Sequence, residues 1–266
     1  MDETMAPESA ARLAAVLDVE PVPAAGDEVP MLWHWAYFRE PTPQSSLGED
    51  GHARRVDALA RRLPRRMAAS GTVTRLAPLV IGRPAERSSQ LLGITEKDGR
   101  SGPLAFANWR HVVEQSGAVV LEETQTVVYR ASAGPSGGPR PEVPASAETD
   151  AGAFIRDVHF EPSLLFRYSA VTWNSHRIHY DSRYATEVEG YPGLVVHGPL
   201  LATLLAREAT ARLGTLGAVD YRARSPVFVD DIVHVFARDR DGGGLVLEAR
   251  TADQGVAMTL SALEAV

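Results

Sequence analysis

The sequence predicts an α+β fold in which antiparallel strands curve around one long helix. Three observations lead there. Strand-forming runs separated by Gly, Pro and Asp turn signals occur in both halves, at 71–131 and again at 217–266. One long apolar helix pattern, HGPLLATLLAREATARLG, stands directly ahead of the second set. Strands and helices are segregated and do not alternate one for one, which separates α+β from α/β.

Residues 8–18 (ESAARLAAVLD) set Leu13, Ala14, Val16 and Leu17 at helical spacing, a short amphipathic helix. PVPAAGDEVP is a proline-punctuated connector. MLWHWAYF (31–38) is aromatic and compatible with a strand, and His34 within it reads as a packed, hydrogen-bonded histidine and not a ligand. A polar loop covers 40–52, and a charged piece over 53–63 reads as a helix that stops at Pro64. GTVTRLAPLVIG, ERSSQLLGITEKDG, PLAFANWRHVVEQSG and AVVLEETQTVVYRA form an antiparallel meander, with KDGRSG and QSG as hairpin connections.

Residues 131–150 (ASAGPSGGPRPEVPASAETD) are small, Pro, Gly or acidic and cannot supply a core, so they read as a linker. The chain thus divides into domains 1–130 and 151–266. Phe154–Phe160 opens the second as a strand or turn. In the long helix, Pro199 suits the first turn, Leu200, Leu201, Leu204 and Leu205 make the buried stripe, and Gly214 suits the end. GAVDYRARSPVFV, DIVHVFARDR, GGLVLEARTA and GVAMTLSALEAV return to strands, with turns at RDRDGGG and ADQG.

Composition excludes several classes. No run of about 18 apolar residues is present, so no transmembrane helix is expected. The acidic N-terminus does not resemble a secretory signal, and the absence of cysteine fits a cytoplasmic protein. A net charge of −7 argues against a general nucleic-acid binder. Arg54, Arg55, Arg61, Arg62, Arg65 and Arg66 are a local exception. They read either as a solvated helix face or as a contact for phosphate, whose oxygens suit guanidinium forks.

The chemistry concentrates in YSAVTWNSHRIHYDSRYATEVEGYPGLVVHGPLLATLLA, residues 168–206. His179 is a proton carrier suited to neutral pH. His197-Gly198 opens the long helix, whose N-terminal N–H groups and dipole suit an oxygen gaining negative charge. Together they would move a proton beside a polarised carbonyl, as in adding or removing water across a double bond conjugated to a thioester. Each has a structural alternative: His179 as a core histidine, Asn174 as a turn or cap residue, His176 as an exposed loop residue, Gly198 as a tight helix entry. His176, His179 and Asp181 lack a recognised ligand motif, and no metal is expected.

This stretch resembles the MaoC-like (R)-specific enoyl-thioester hydratases and dehydratases. Their signature, Asp-x-Asn-Pro-aliphatic-His followed by a downstream His-Gly, appears here as Asn174-Ser175-His176-Arg177-Ile178-His179 and His197-Gly198-Pro199. Tyr184-Ala185 also matches, whereas Asn174, His176 and Arg177 replace the family's Asp, Asn and Pro. With HWAYF, LGEDGH, LPRRM and QTVVYR of the first half, TWNSHRIHYD is similar to the branch of FAS1-like dehydratases and mesaconyl- or itaconyl-CoA hydratases. The resemblance implies a double hot-dog, two curved antiparallel sheets each around a central helix, with the first unit degenerate. It implies a hydro-lyase without cofactor, acting on a short, branched or dicarboxylic acyl thioester of CoA or acyl-carrier protein. His179 would then be the catalytic histidine, Gly198 N–H would hold the thioester oxygen, and Asn174 would orient water, since an amide cannot accept its proton. Asp181 is the nearest carboxylate by sequence. A thioesterase and a non-catalytic dehydratase subunit remain alternatives, and a monomer and a homodimer are both compatible.

Overall fold

The computed structural model describes residues 1–55, 57–99, 102–131, 152–252 and 255–265. All but the first residue of the linker at 131–150 therefore lies outside the described residues, as does part of the KDGRSG and ADQG turns.

The first half supplies strands β1 (Asp2–Thr4), β2 (Arg65–Arg75), β3 (Pro84–Gly99), β4 (Gly102–Gln115) and β5 (Ala118–Arg130). The second supplies β6 (Ala153–His159), β7 (Leu216–Ala223), β8 (Ile232–Asp239), β9 (Leu245–Thr251) and β10 (Gly255–Glu264). All pairings are antiparallel, and the spatial order is β1-β3-β4-β5-β2-β7-β10-β9-β8-β6. The order β1-β3-β4-β5-β2 is repeated, strand for strand, by β6-β8-β9-β10-β7. The two halves share one topology and meet edge to edge where β2 pairs β7, from Ser70 opposite Arg222 to Thr74 opposite Ala218. A ten-stranded sheet results. The QSG hairpin is as expected: Gln115 pairs Ala118, and Ser116 and Gly117 between them take φ of 55° and 80°, a two-residue turn that matches the strand twist.

The long helix α4 (Gly198–Leu213) packs on β7, β9, β10 and β2. Besides the expected leucine stripe, Ala202, Thr203, Ala206 and Ala209 are buried. A helix buried on so many sides lies inside its sheet and does not float on a surface. Its counterpart in the first half is α2, reduced to Ala58–Arg62, capped by Asp57 accepting the Ala60 N–H at 2.9 Å. Only Leu59 and the following Leu63 are buried from this piece, in a small cluster with Ala105, Ala107 and Tyr129. The helix expected over 53–63 is therefore shorter, because Ala53 bridges Leu47 across a loop and Pro64 ends the run.

Two further helices flank the sheet, α1 (Pro7–Leu17) and α3 (Pro162–Thr172), in contact with each other. The first is as expected; the second is a helix the sequence reading did not resolve. The strand expected at MLWHWAYF is instead a 3-10 turn over Trp33–Ala36. His34 Nε2 and Trp35 Nε1 reach the same Glu123 carboxylate, at 3.1 and 2.9 Å. Neighbouring side chains on a strand point to opposite faces, so one shared partner demands a turn. His34 is buried and hydrogen-bonded, as read from the sequence.

Candidate active site

Three segments converge at the N-terminus of α4. The first is the end of α3 and its exit: Trp173 takes the left-handed conformation (φ 54°), and the Asn174 N–H returns to Ser169 O at 2.8 Å. Asn174 Oδ1 accepts the His176 N–H at 3.0 Å, so its amide oxygen closes a local turn. A 3-10 turn over Arg177–His179 then carries His179 inward. The second segment is Val195–Gly198, held by Val195 N–H to Ile178 O (3.0 Å) and Val196 N–H to Val227 O (2.8 Å). The third is the 47–54 loop of the first half, docked on the signature segment by Arg177 N–H to Asp50 O (2.9 Å), Arg177 Nη1 to Glu49 O (3.1 Å) and Ser175 Oγ to Gly51 O.

The imidazoles form a file. His52 lies 4.3 Å from His176 between ring centroids, His176 5.4 Å from His179, and His179 stacks on His197 at 3.6 Å. His179 Nδ1 lies 2.7 Å from Val195 O, and since a carbonyl only accepts, Nδ1 carries the proton and Nε2 keeps its lone pair. Burial pushes His179 down to about 3 against the raising effect of Val195 O. His176 also falls to about 3, through burial and then the nearby His52, and burial holds His197 well below its usual value. The inner histidines are thus neutral near pH 7. His197 is fully buried, with Nε2 2.8 Å from Ser169 Oγ.

Gly198 is the first residue of α4, so its N–H has no partner within the helix, and none among the described residues accepts it. A side-chain carbon built there would have only Ala68 O near it, at 4.0 Å. Neither packing nor a positive φ therefore requires glycine here, and the open approach to the N–H is what the residue leaves. Asp181 is not the partner of His179: its carboxylate is spent on Arg177 Nη2 at 2.7 Å and the Tyr184 N–H at 3.0 Å.

Two cavities flank the file. One of about 460 Å³ is bordered by His52, Ser169, Asn174 and Arg66 and by the exposed rings of Phe166 and Trp173. The other, of about 270 Å³, is bordered by Asp50, His176 and the guanidinium-bearing Arg54, Arg55, Arg65 and Arg66. Four of the six clustered arginines thus face a cavity; Arg62 instead pairs with Glu96 at the surface. Ala53 and Arg66 border both cavities.

The sequence reading missed Asp50, His52 and Ser169. Asp50 Oδ2 lies 3.0 Å from His52 Nδ1. Burial raises the Asp50 carboxyl, but the His52 hydrogen bond and charge outweigh it and hold it at about 2. Burial in turn lowers His52 despite Asp50. Asp50, His52 and His176 bring donor atoms within 4.8 Å of one another. Within this group Asp50 Oδ2 and His52 Nδ1 are hydrogen-bonded to each other, beside the His176 ring. The Asp-Gly-His triplet in an otherwise polar loop was the available signal.

Comparison with known proteins agrees with this architecture. Residues 32–229 match the model of the family described as hydroxyacyl-thioester dehydratase type 2. Mesaconyl-C(4)-CoA hydratase of Chloroflexus aurantiacus is 42% identical over 255 residues, covering 93% of this chain and 89% of that protein. Among solved structures, HtdX from Mycobacterium tuberculosis superposes with a TM-score of 0.68 at 17% identity, over 99% of this chain and 98% of that one. Another Mycobacterium tuberculosis protein, reported to have a double hot-dog fold, gives a TM-score of 0.56 at 16% identity over 99% of this chain and 93% of that one. The fold is the double hot-dog, and no described helix is long and apolar enough to cross a membrane. The chain belongs to the hydroxyacyl-thioester dehydratase type 2 family.

Proposed function

We propose that this protein is a hydro-lyase that adds or removes water across the α,β double bond of a short acyl thioester. The observation that carries the reading is His179 itself. It is a buried, neutral imidazole whose Nδ1 proton is committed to Val195 O, set beside a helix N-terminus with an unused N–H. In the hydration direction the Gly198 N–H receives the thioester oxygen, and the water oxygen bonds to the β-carbon as His179 Nε2 takes its proton. The double-bond electrons move towards the thioester oxygen, where the helix dipole stabilises them. As that charge collapses, its electron pair forms the C–H bond at the α-carbon with a proton from a donor of the site, and His179 gives up the proton it took. Asn174, bordering the larger cavity, orients the water.

Similarity to a mesaconyl-C(4)-CoA hydratase and the arginine-bordered cavity both favour a dicarboxylic acyl-CoA. The carrier is a substrate, with acyl-carrier protein as the alternative to CoA, and no cofactor takes part. Residues 1–130 and 151–266 are the two hot-dog units, the first with its central helix cut down to α2. A cytoplasmic location and a homodimer of such paired units fit this reading.

The test follows loss of enoyl-thioester absorbance with crotonyl- and mesaconyl-CoA, for wild type and His179→Ala. Removing the base is expected to slow turnover about 10²- to 10⁴-fold. Release of free thiol without hydration would replace this reading by thioester hydrolysis.

A further inference from the structure

A hydration needs a proton taken from water and a proton given to carbon. Where the resembled signature has a carboxylate beside its histidine, this chain has Asn174, and its amide oxygen is occupied by the His176 N–H. Asp181 is committed to Arg177, and Glu189 to Arg65 at 2.6 Å. The carboxylate acting on the histidine file is Asp50, which bears on both His52 and His176.

We infer that His52, held by Asp50 and brought in by the 47–54 loop of the first half, is the second proton-transfer group of the site. His52 Nδ1 points to Asp50 at 3.0 Å, which leaves Nε2 as the free end of the ring. His52 borders the same cavity as Asn174 and Ser169. The His176 ring is in contact with both the His52 and the His179 rings. The groups facing His52 are Asp50 on its own loop, Arg66 of β2 and His176 of the signature segment. Of these only Asp50 favours the imidazolium.

Water loses one proton to His179 Nε2 as its oxygen bonds to the β-carbon. The π electrons, delocalised onto the thioester oxygen, return to form a C–H bond at the α-carbon with the Nε2 proton of the His52 imidazolium. His179 then releases its proton to solvent and His52 regains one. Asp50 touches no reacting atom; it is a positioning residue that sets the ring's orientation and its basicity. The geometry gives the first half, which has lost its long helix, a part in the chemistry.

The inference rests on the hydro-lyase reading, and the experiment keeps the two apart. Hydration rates across pH are measured for wild type, His52→Gln and Asp50→Asn, with thermal stability and binding of butyryl-CoA measured alongside. Wild type should lose rate as pH rises through the His52 titration. His52→Gln should lower kcat about 100-fold, abolish that alkaline limb and leave KM and butyryl-CoA binding within about twofold. Asp50→Asn, which removes the carboxylate that favours the imidazolium, should shift the limb to lower pH. A His52→Gln variant with wild-type kcat and limb, or an Asp50→Asn variant with an unmoved limb, overturns the role of His52 alone. A wild type that hydrates none of the thioesters overturns the hydro-lyase reading on which it rests.

Discussion

Gly51→Ala probes how closely the two halves must fit for the site to exist. Gly51 adopts φ +88°, and a Cβ there would lie well inside contact distance of Ser175 O, 3.0 Å from its carbonyl carbon and 3.4 Å from Arg177 Cγ. Ordinary carbon-to-carbonyl-oxygen contacts start near 3.3 Å, so loop and signature segment have to part by on the order of 1 Å. The hydrogen bonds from Arg177 N–H, Arg177 Nη1 and Ser175 Oγ to the loop carbonyls stretch or break. At about 1 kcal/mol each, plus about 1 kcal/mol for a left-handed alanine, the loss is roughly 2–4 kcal/mol. The catalytic effect is larger than that cost implies, because a 1 Å misplacement of reacting groups costs about 100-fold in rate. Gly26→Ala is the control: φ is +96°, yet nothing lies within 4 Å of the added carbon, so strain is present without collision. Hydration kinetics and thermal melts of both variants are the assay. A Gly51→Ala variant with wild-type kcat/KM, and a melting shift no larger than that of Gly26→Ala, would refute the argument.

Further outcomes follow from the buried charges and rings. His176 and His179 have folded values near 3 against 6.5 for the free side chain, and His197 is also depressed. The unfolded chain therefore binds more protons between these limits, and the associated stability is present above about pH 6.5 and lost as pH falls towards 3. At pH 5 the loss is about 2 kcal/mol each for His176 and His179; a melting temperature no lower at pH 5 than at pH 7 would contradict it. Glu189→Ala strands the buried Arg65 cation and should cost about 3–5 kcal/mol in denaturant unfolding, whereas Arg65→Met with Glu189→Leu should recover most of it. Ser169→Ala removes the partner of His197 Nε2 in a buried ring whose Nδ1 already has none, for about 1–3 kcal/mol by the same measurement.

The strands and the long helix were legible because their signals are local. Turn residues bound each strand, and α4 carries its own start at Pro199 and stop at Gly214. Signals that depend on a distant partner were not legible. Trp33–Ala36 turns instead of extending because Glu123, far along the chain, collects two successive side chains. In α3 the burial of Leu165, Tyr168 and Val171 follows helical spacing, but the helix ends on a left-handed Trp173 where glycine would have marked the stop. His179 and His197-Gly198 stood out because the long helix locates them. Asp50 and His52 did not, since only folding brings a loop of the first half against Ser175 and Arg177.

The seam between β2 and β7 also bears on how the chain is made. Ser70 must find Arg222, and the ladder that aligns them closes over most of the sequence. Until β7 has been synthesised, β2 of the nascent chain is an unpaired sheet edge open to wrong partners. Non-local pairings of this kind are slow to form and exposed to aggregation while they wait. The seam should therefore mature late on the ribosome, and catalytic competence should arrive with it, after the first half already holds its own strand pairs.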